Sequence, residues 1–245
     1  MVHGSLSYAQ AGPNIYGRIC FRGSVVFTRG EASCRHVPEK TSGEAEREEM
    51  TAKEKFAVLL DLAAALRNHG SWAGETHVQK ATYILQTLLG VPTEFQFILY
   101  KHGPFSFDLR ESLSQMEADR LVELEEQSYP YGPRIAEGKT ARQLRASTPS
   151  AQGFQKEIAF VSQMLGNAGV ADLERIATAL FVTLDSAIAP EDRIQRLVEL
   201  KPHVQPAEAE AAFARLEEIR TSALNAGLYS FPGIRLQSHA ASEQL

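Results

Sequence analysis

The chain has 245 residues, with 25 basic and 30 acidic side chains and a formal charge of −5. That balance excludes a wholesale electrostatic nucleic-acid binder, since such domains usually have a pI above about 9, while 44% hydrophobic and 22% charged residues are ordinary for a globular protein of one or two domains. No apolar run reaches the roughly 18–20 residues of a membrane helix, Met1–Ala9 lacks the basic start of a secretory signal, and two cysteines cannot build a disulfide framework or a four-thiolate zinc site, so a cytoplasmic protein is expected.

Residues 1–49 stand apart. They hold Cys20, Cys34 and six glycines, balance six basic against six acidic residues, and show no sustained period, so they read as a disordered leader. Met50 directly precedes Thr51–Ala52–Lys53, where helical spacing begins, and Glu46–Arg47–Glu48–Glu49 would be encoded by purine-rich codons. A mis-assigned gene start is therefore the reading of this segment, with a genuine flexible leader as the alternative. Peptides spanning Cys20 or Cys34 in the native protein would exclude the former.

From Lys53 the apolar period is mostly helical. Phe56, Leu59, Leu60, Ala63, Ala64 and Leu66 share one face, and Asn68–His69–Gly70 supplies a stop. A second helix is expected from about Glu75 to Leu89, with Val78, Ala81, Thr82, Leu85 and Leu88–Leu89 inward and Gly90 closing it. Phe95–Tyr100 favours a strand and Lys101–Pro104 a turn. A third helix covers about Ser106–Arg120, Leu121–Leu124 reads as a strand, Tyr129–Pro133 as a turn, and Arg134–Ala136 as a returning strand before a short helix at Thr140–Leu144. Beyond Pro149, stripes at Phe154, Ile158, Val161 and Leu165 and at Leu173, Ile176, Ala177, Leu180, Phe181 and Leu184 imply buried helical faces. Pro190 and Pro206 each sit where a first helical turn begins, which places helices at about 190–200 and 206–225. Residues 226–245 lose the pattern and read as a frayed tail.

These elements predict a mainly α fold with a small β-hairpin: a winged-helix-like domain over 51–147 and a C-terminal helical bundle over 151–225. The seven histidines lack metal-ligand spacing, and no phosphate-binding loop or nucleophile elbow occurs, so no cofactor, metal or catalytic residue is expected. In a winged helix the third helix often enters a DNA groove. Here that helix carries Asp108, Glu111, Glu117 and Asp119 against Arg110 and Arg120, which repels phosphate. The hairpin region instead holds Arg134, Lys139, Arg142 and Arg145 against Glu137, making these four the candidate nucleic-acid contacts of a basic wing, or a polar hairpin without a partner.

Two segments carry a resemblance. His77-Val-Gln-Lys-Ala-Thr-Tyr-Ile-Leu-Gln86 and Phe97-Ile-Leu-Tyr-Lys-His-Gly-Pro-Phe-Ser-Phe-Asp-Leu109 resemble the YwgA-type bacterial proteins, with their "LQK…YLLQ" helix and "YxYGPYS…L" turn. The turn is in turn similar to that of SocA-like, or Panacea, antitoxin domains. Glu174–Leu180 and Leu200–Lys201–Pro202 also look like segments of the YwgA-type family, so the likeness spans roughly 52–220; His102 departs from it where an aromatic is usual. The resemblance implies a non-enzymatic recognition or regulatory protein, antitoxin-like or defence-associated. Its protein partner, a toxin or regulator, would be met by the strand–turn–helix corner of Lys80, Tyr83, Tyr100, Lys101, His102, Gly103, Pro104 and Ser106. The same residues can equally serve only to hold the corner: Gly103 bends the chain, Pro104 fixes the next φ, and Ser106 caps the third helix. A DNA-binding transcriptional regulator using the basic wing is the alternative function.

Overall fold

The computed structural model describes residues 50–128 and 132–230. The leader 1–49, the centre of the Tyr129–Pro133 turn and residues 231–245 lie outside them. The protein is mainly helical with small antiparallel hairpins. Helix α1 (Ala52–Asn68) begins in a reciprocal capping box, in which Thr51 Oγ1 accepts from the Glu54 amide and Glu54 accepts from the Thr51 amide. Helix α2 (Glu75–Leu89) ends at Gly90, which takes the left-handed φ of +71° expected of a glycine cap.

Strands β1 (Ile98–Tyr100) and β2 (Gly103–Phe105) then pair in the register Ile98↔Phe105 and Tyr100↔Gly103. Here the structure differs from the expected strand followed by a turn. The loop is only Lys101–His102, because Gly103 at φ +80° reverses the chain within two residues and frees Pro104 and Phe105 to pair back. Helix α3 (Phe107–Ala118) is capped by Ser106, whose Oγ accepts from the Leu109 amide at 3.2 Å. Strands β3 (Val122–Glu125) and β4 (Arg134–Glu137) form a second hairpin, separate from the first. The Ile135 amide donates to Ala73 O at 3.1 Å, which ties β4 to the α1–α2 connection.

Helix α4 (Ala141–Ser147) and a 3₁₀ turn (Pro149–Phe154) lead into α5 (Gln155–Leu165), α6 (Val170–Leu184), α7 (Arg193–Leu200) and α8 (Pro206–Asn225). Pro190–Asp192 is a 3₁₀ turn, so α7 starts three residues later than the proline alone suggested. The first 3₁₀ turn occupies the region of the expected 147–151 boundary, and one hydrophobic core runs from Leu59, Ile84 and Leu109 to Ile158, Leu180 and Leu216 on either side of it. Nor does the chain fray directly after α8. Gly227 at φ +69° lets the Leu228 amide return to Ala223 O at 2.9 Å, a Schellman closure with Leu228 and Tyr229 packed on the core. Among the described residues no helix is long and apolar enough to cross a membrane.

The second hairpin leans on a close approach at Gly138. A Cβ there would lie 2.2 Å from Arg120 O, while the Gly138 amide donates to Leu121 O at 2.9 Å. Gly138→Ala must displace backbone and is expected to lower stability in urea by about 1–3 kcal/mol, as overpacking does. Gly153→Ala, with nothing near its Cβ, is the control expected to change little.

Candidate functional site: the strand–turn–helix corner

Helix α2 is buried on nearly every side. Besides the expected apolar face, His77, Gln79, Lys80, Tyr83, Ile84 and Thr87 are buried, because α1, α3, α5 and α6 and the first hairpin surround the helix. A polar group in that position must find partners inside the protein. Gln79 does so with a complementary amide pair: its Nε2 donates to Ser106 O at 2.9 Å and its Oε1 accepts from the Ser106 amide at 3.0 Å. Lys80, only 1% exposed, donates from Nζ to Pro104 O at 2.8 Å. Two adjacent side chains of α2 thus hold the backbone on either side of Phe105.

A second lysine holds the turn from the opposite side. Lys201, at the C-terminal cap of α7, donates to Tyr100 O at 3.1 Å and to Lys101 O, and pairs with Glu174 Oε1 of α6 at 3.0 Å. Glu174 is itself buried, and its other oxygen lies 3.3 Å from His102 Nδ1; His203 Nε2 stands 3.9 Å from Oε1. Thr178 Oγ1 donates to Glu174 O at 2.7 Å and would meet a Cβ on Gly103 at 3.0 Å, which fixes how closely the turn approaches α6. Burial pulls the Lys80 pKa down from 10.5 to about 8, with Glu174 working in the opposite direction and Lys201 reinforcing the fall. Tyr83 packs against Phe97 with ring centroids 5.0 Å apart; burial raises its phenol pKa, and its hydroxyl has no hydrogen-bond partner among the described residues.

The eight corner residues therefore divide. Lys80, Tyr83, Gly103, Pro104 and Ser106 are buried and hold the corner. Tyr100, Lys101 and His102 are exposed. Tyr100 joins Phe105 and Phe107 in a cluster with centroids 5.8, 5.7 and 5.1 Å apart, of which Tyr100 is 47% and Phe107 51% exposed. Sequence reasoning gave no role to Gln79, Glu174, Thr178, Lys201, His203 or Phe107. No signal in the sequence distinguishes Gln79, because its neighbours on the helix surface, Glu75, Thr76 and Gln86, are themselves polar and read as a solvated face.

The four basic residues expected on the second hairpin do not all lie there: Arg134 is on β4, Lys139 follows it, and Arg142 and Arg145 are on α4, because the chain turns helical at Ala141. Arg145 is committed inward, with Nε 2.6 Å from Asp61 Oδ1 and Nη1 2.8 Å from Glu137 Oε1, so its charge is neutralised twice over. Arg134 is half-buried, which leaves Lys139 and Arg142 exposed. A cleft of about 610 Å³ lies between α3, this hairpin and the starts of α2 and α6, with Trp72, Leu113 and Leu124 among its walls. A second hollow of about 280 Å³ lies under α6 and α8. Neither is lined by Lys80, Glu174 or Lys201. Among the described residues no group of three His, Cys, Asp or Glu side chains could hold a metal.

Two measurements check this geometry. Between pH 8 and 10.5 the unfolded chain binds more protons at Lys80 than the folded chain, so stability due to this residue rises with pH in that window; above about pH 10 the protonated phenol of Tyr83 reverses the trend. Wild type should accordingly gain urea stability relative to Lys80→Met from pH 8 to 10, and parallel profiles would contradict the buried ammonium. Tyr83→Phe should leave the melting temperature unchanged or raise it, because it removes an unpaired buried hydroxyl, whereas Tyr83→Ala should cost about 3–5 kcal/mol. No known family model and no curated protein matches the chain.

Proposed function

We propose that this protein is a non-enzymatic recognition protein, antitoxin-like or defence-associated in the sense of the YwgA-type and SocA-like resemblance, that binds a partner protein through the strand–turn–helix corner. One observation carries the reading. Three aromatic rings are clustered on a backbone fixed from below by buried side chains, and two of the rings stay half-exposed. Exposed large apolar groups in contact with one another mark interaction sites, and aromatic anchors dominate binding energy at such sites. Their preorganisation lowers the ordering cost of association, because Lys80, Gln79 and Lys201 hold the carbonyls and amides of Tyr100, Lys101, Pro104 and Ser106 before any partner arrives.

The charge of the corner suggests what surrounds the anchor. Lys201 pairs with Glu174, the same carboxylate and Glu75 act on Lys80 through space, and exposed Lys101 adds a positive charge at the surface of the turn. A partner segment that brings an apolar side chain to Tyr100 and Phe107 and an acidic one to Lys101 is the complement. The winged-helix-like arrangement of α1, α2, α3 and the second hairpin is part of the same proposal, with the aromatic corner inserted between its second and third helices. The DNA-binding alternative is weaker by charge: Arg145 is spent internally, and exposed Lys139 and Arg142 are matched one for one by exposed Glu123 and Glu125 of β3, which leaves no positive excess for phosphate.

Tyr100→Ser combined with Phe107→Ser should leave the melting transition nearly unchanged and reduce capture of the native partner roughly tenfold or more, as loss of an aromatic hot spot does. Lys101→Ala with His102→Ala should weaken the same capture to a smaller degree. Recovery of the same proteins in the same amounts by the double serine variant would refute the corner as a binding surface.

A further inference from the structure

We propose a second site, independent of the corner: the hollow of about 280 Å³ between α6, α7 and α8 is a binding pocket for a medium-chain monocarboxylate. Its floor is apolar, built from Leu88 of α2, Leu180 of α6 and Leu216 of α8, all core residues. Its wall carries two guanidinium groups, from Arg193 and Arg220, each with an Nε that is out of solvent and has no hydrogen-bond partner among the described residues. Buried donors left unpaired are rare in folded proteins and call for a ligand or another explanation.

The two arginines differ in what they still need. Arg220 Nη2 is already 2.7 Å from Glu217 Oε1, and the Tyr229 hydroxyl, raised in pKa mainly by burial, also bonds to this guanidinium. The Arg193 side chain, on the first residue of α7, has neither an ion pair nor a hydrogen bond among the described residues. With Glu217 the sole acid lining the hollow among the described residues, their two positive charges and one negative leave a net charge of +1 on an apolar floor. That combination fits an anion of single charge with a hydrocarbon body, its carboxylate meeting the Arg193 fork. A phosphate monoester, with nearly two charges and no apolar part, fits less well. The volume lies at the lower edge of small-molecule pockets, roughly 300–1,000 Å³, and so suits a chain of about eight carbons rather than a long-chain lipid.

Octanoate is the probe, titrated calorimetrically into the full chain at physiological ionic strength, with 1-octanol as the uncharged control. Saturable binding of one octanoate, a raised melting temperature, and an affinity at least tenfold above that of 1-octanol are expected. Arg193→Gln should weaken octanoate at least tenfold while leaving the ligand-free melting temperature unchanged, since the side chain has no partner to lose, and Arg193→Lys should restore part of the affinity. The proposal is overturned if octanoate produces neither heat nor thermal shift at about 1 mM, if 1-octanol binds as tightly, or if Arg193→Gln binds as wild type does. Should Arg193→Gln melt lower, Arg220→Gln in the same titration decides the question: unchanged octanoate affinity in that variant likewise overturns the pocket.

Discussion

The structure depends on one constraint: α2 is enclosed on nearly all sides and yet carries Gln79 and Lys80. An amide and an ammonium taken out of water must be matched, or the fold loses several kcal/mol for each. The matching groups are the backbone of the first hairpin. Gln79 reads the Ser106 peptide at both its amide and its carbonyl, and Lys80 reads Pro104 O, so burial of the helix and placement of the hairpin are the same event. A hairpin of two three-residue strands has little stability alone. Here its conformation is imposed by groups that have nowhere else to bond.

The same logic brings in the C-terminal helices. Glu174 offsets the charge of Lys80 and of Lys201, and Lys201 reaches back to the carbonyls of Tyr100 and Lys101. Residues more than seventy positions apart in sequence thereby close over one turn, and α6 and α7 become part of the corner rather than neighbours of it. Gly103 is the point of closest approach. Its φ of +80° and the 3.0 Å approach of Thr178 disfavour any side chain there, so glycine lets the turn seat closely on α6, beside the contact of His102 with Glu174.

The outcome is a braced base beneath a partly exposed aromatic cluster. Below are two lysines, a glutamate and a glutamine that touch neither hollow; above are Tyr100, Phe105 and Phe107 in mutual contact. A lysine with its pKa lowered to about 8 resembles a catalytic group, but one that is 1% exposed and donates to a backbone carbonyl is a structural member. The hollow beside Arg193 and Arg220 is lined by Leu180 and Thr183 of α6 rather than by Glu174 or Thr178, and its unpaired guanidinium nitrogens contrast with the hydrogen-bonded lysines of the corner.

Local chemistry alone determined much of this. Apolar spacing marked the helices, Gly90 and Ser106 their ends, and the Gly103–Pro104 pair the bend, because caps and turns depend on residues adjacent in the chain. Sequence also marked the corner as important, yet it could not divide Lys80 and Ser106 from Tyr100 and Lys101, since burial of a helix face is set by what packs on it. The pairing of Pro104 and Phe105 back onto β1 was missed for the same reason: three residues carry too little propensity until side chains of α2 hold them. Glu174, Lys201 and the commitment of Arg145 to Asp61 and Glu137 required the tertiary structure outright. A charge in a helical sequence reads as solvated, and only the approach of a distant opposite charge in a low-dielectric interior turns it into part of the frame.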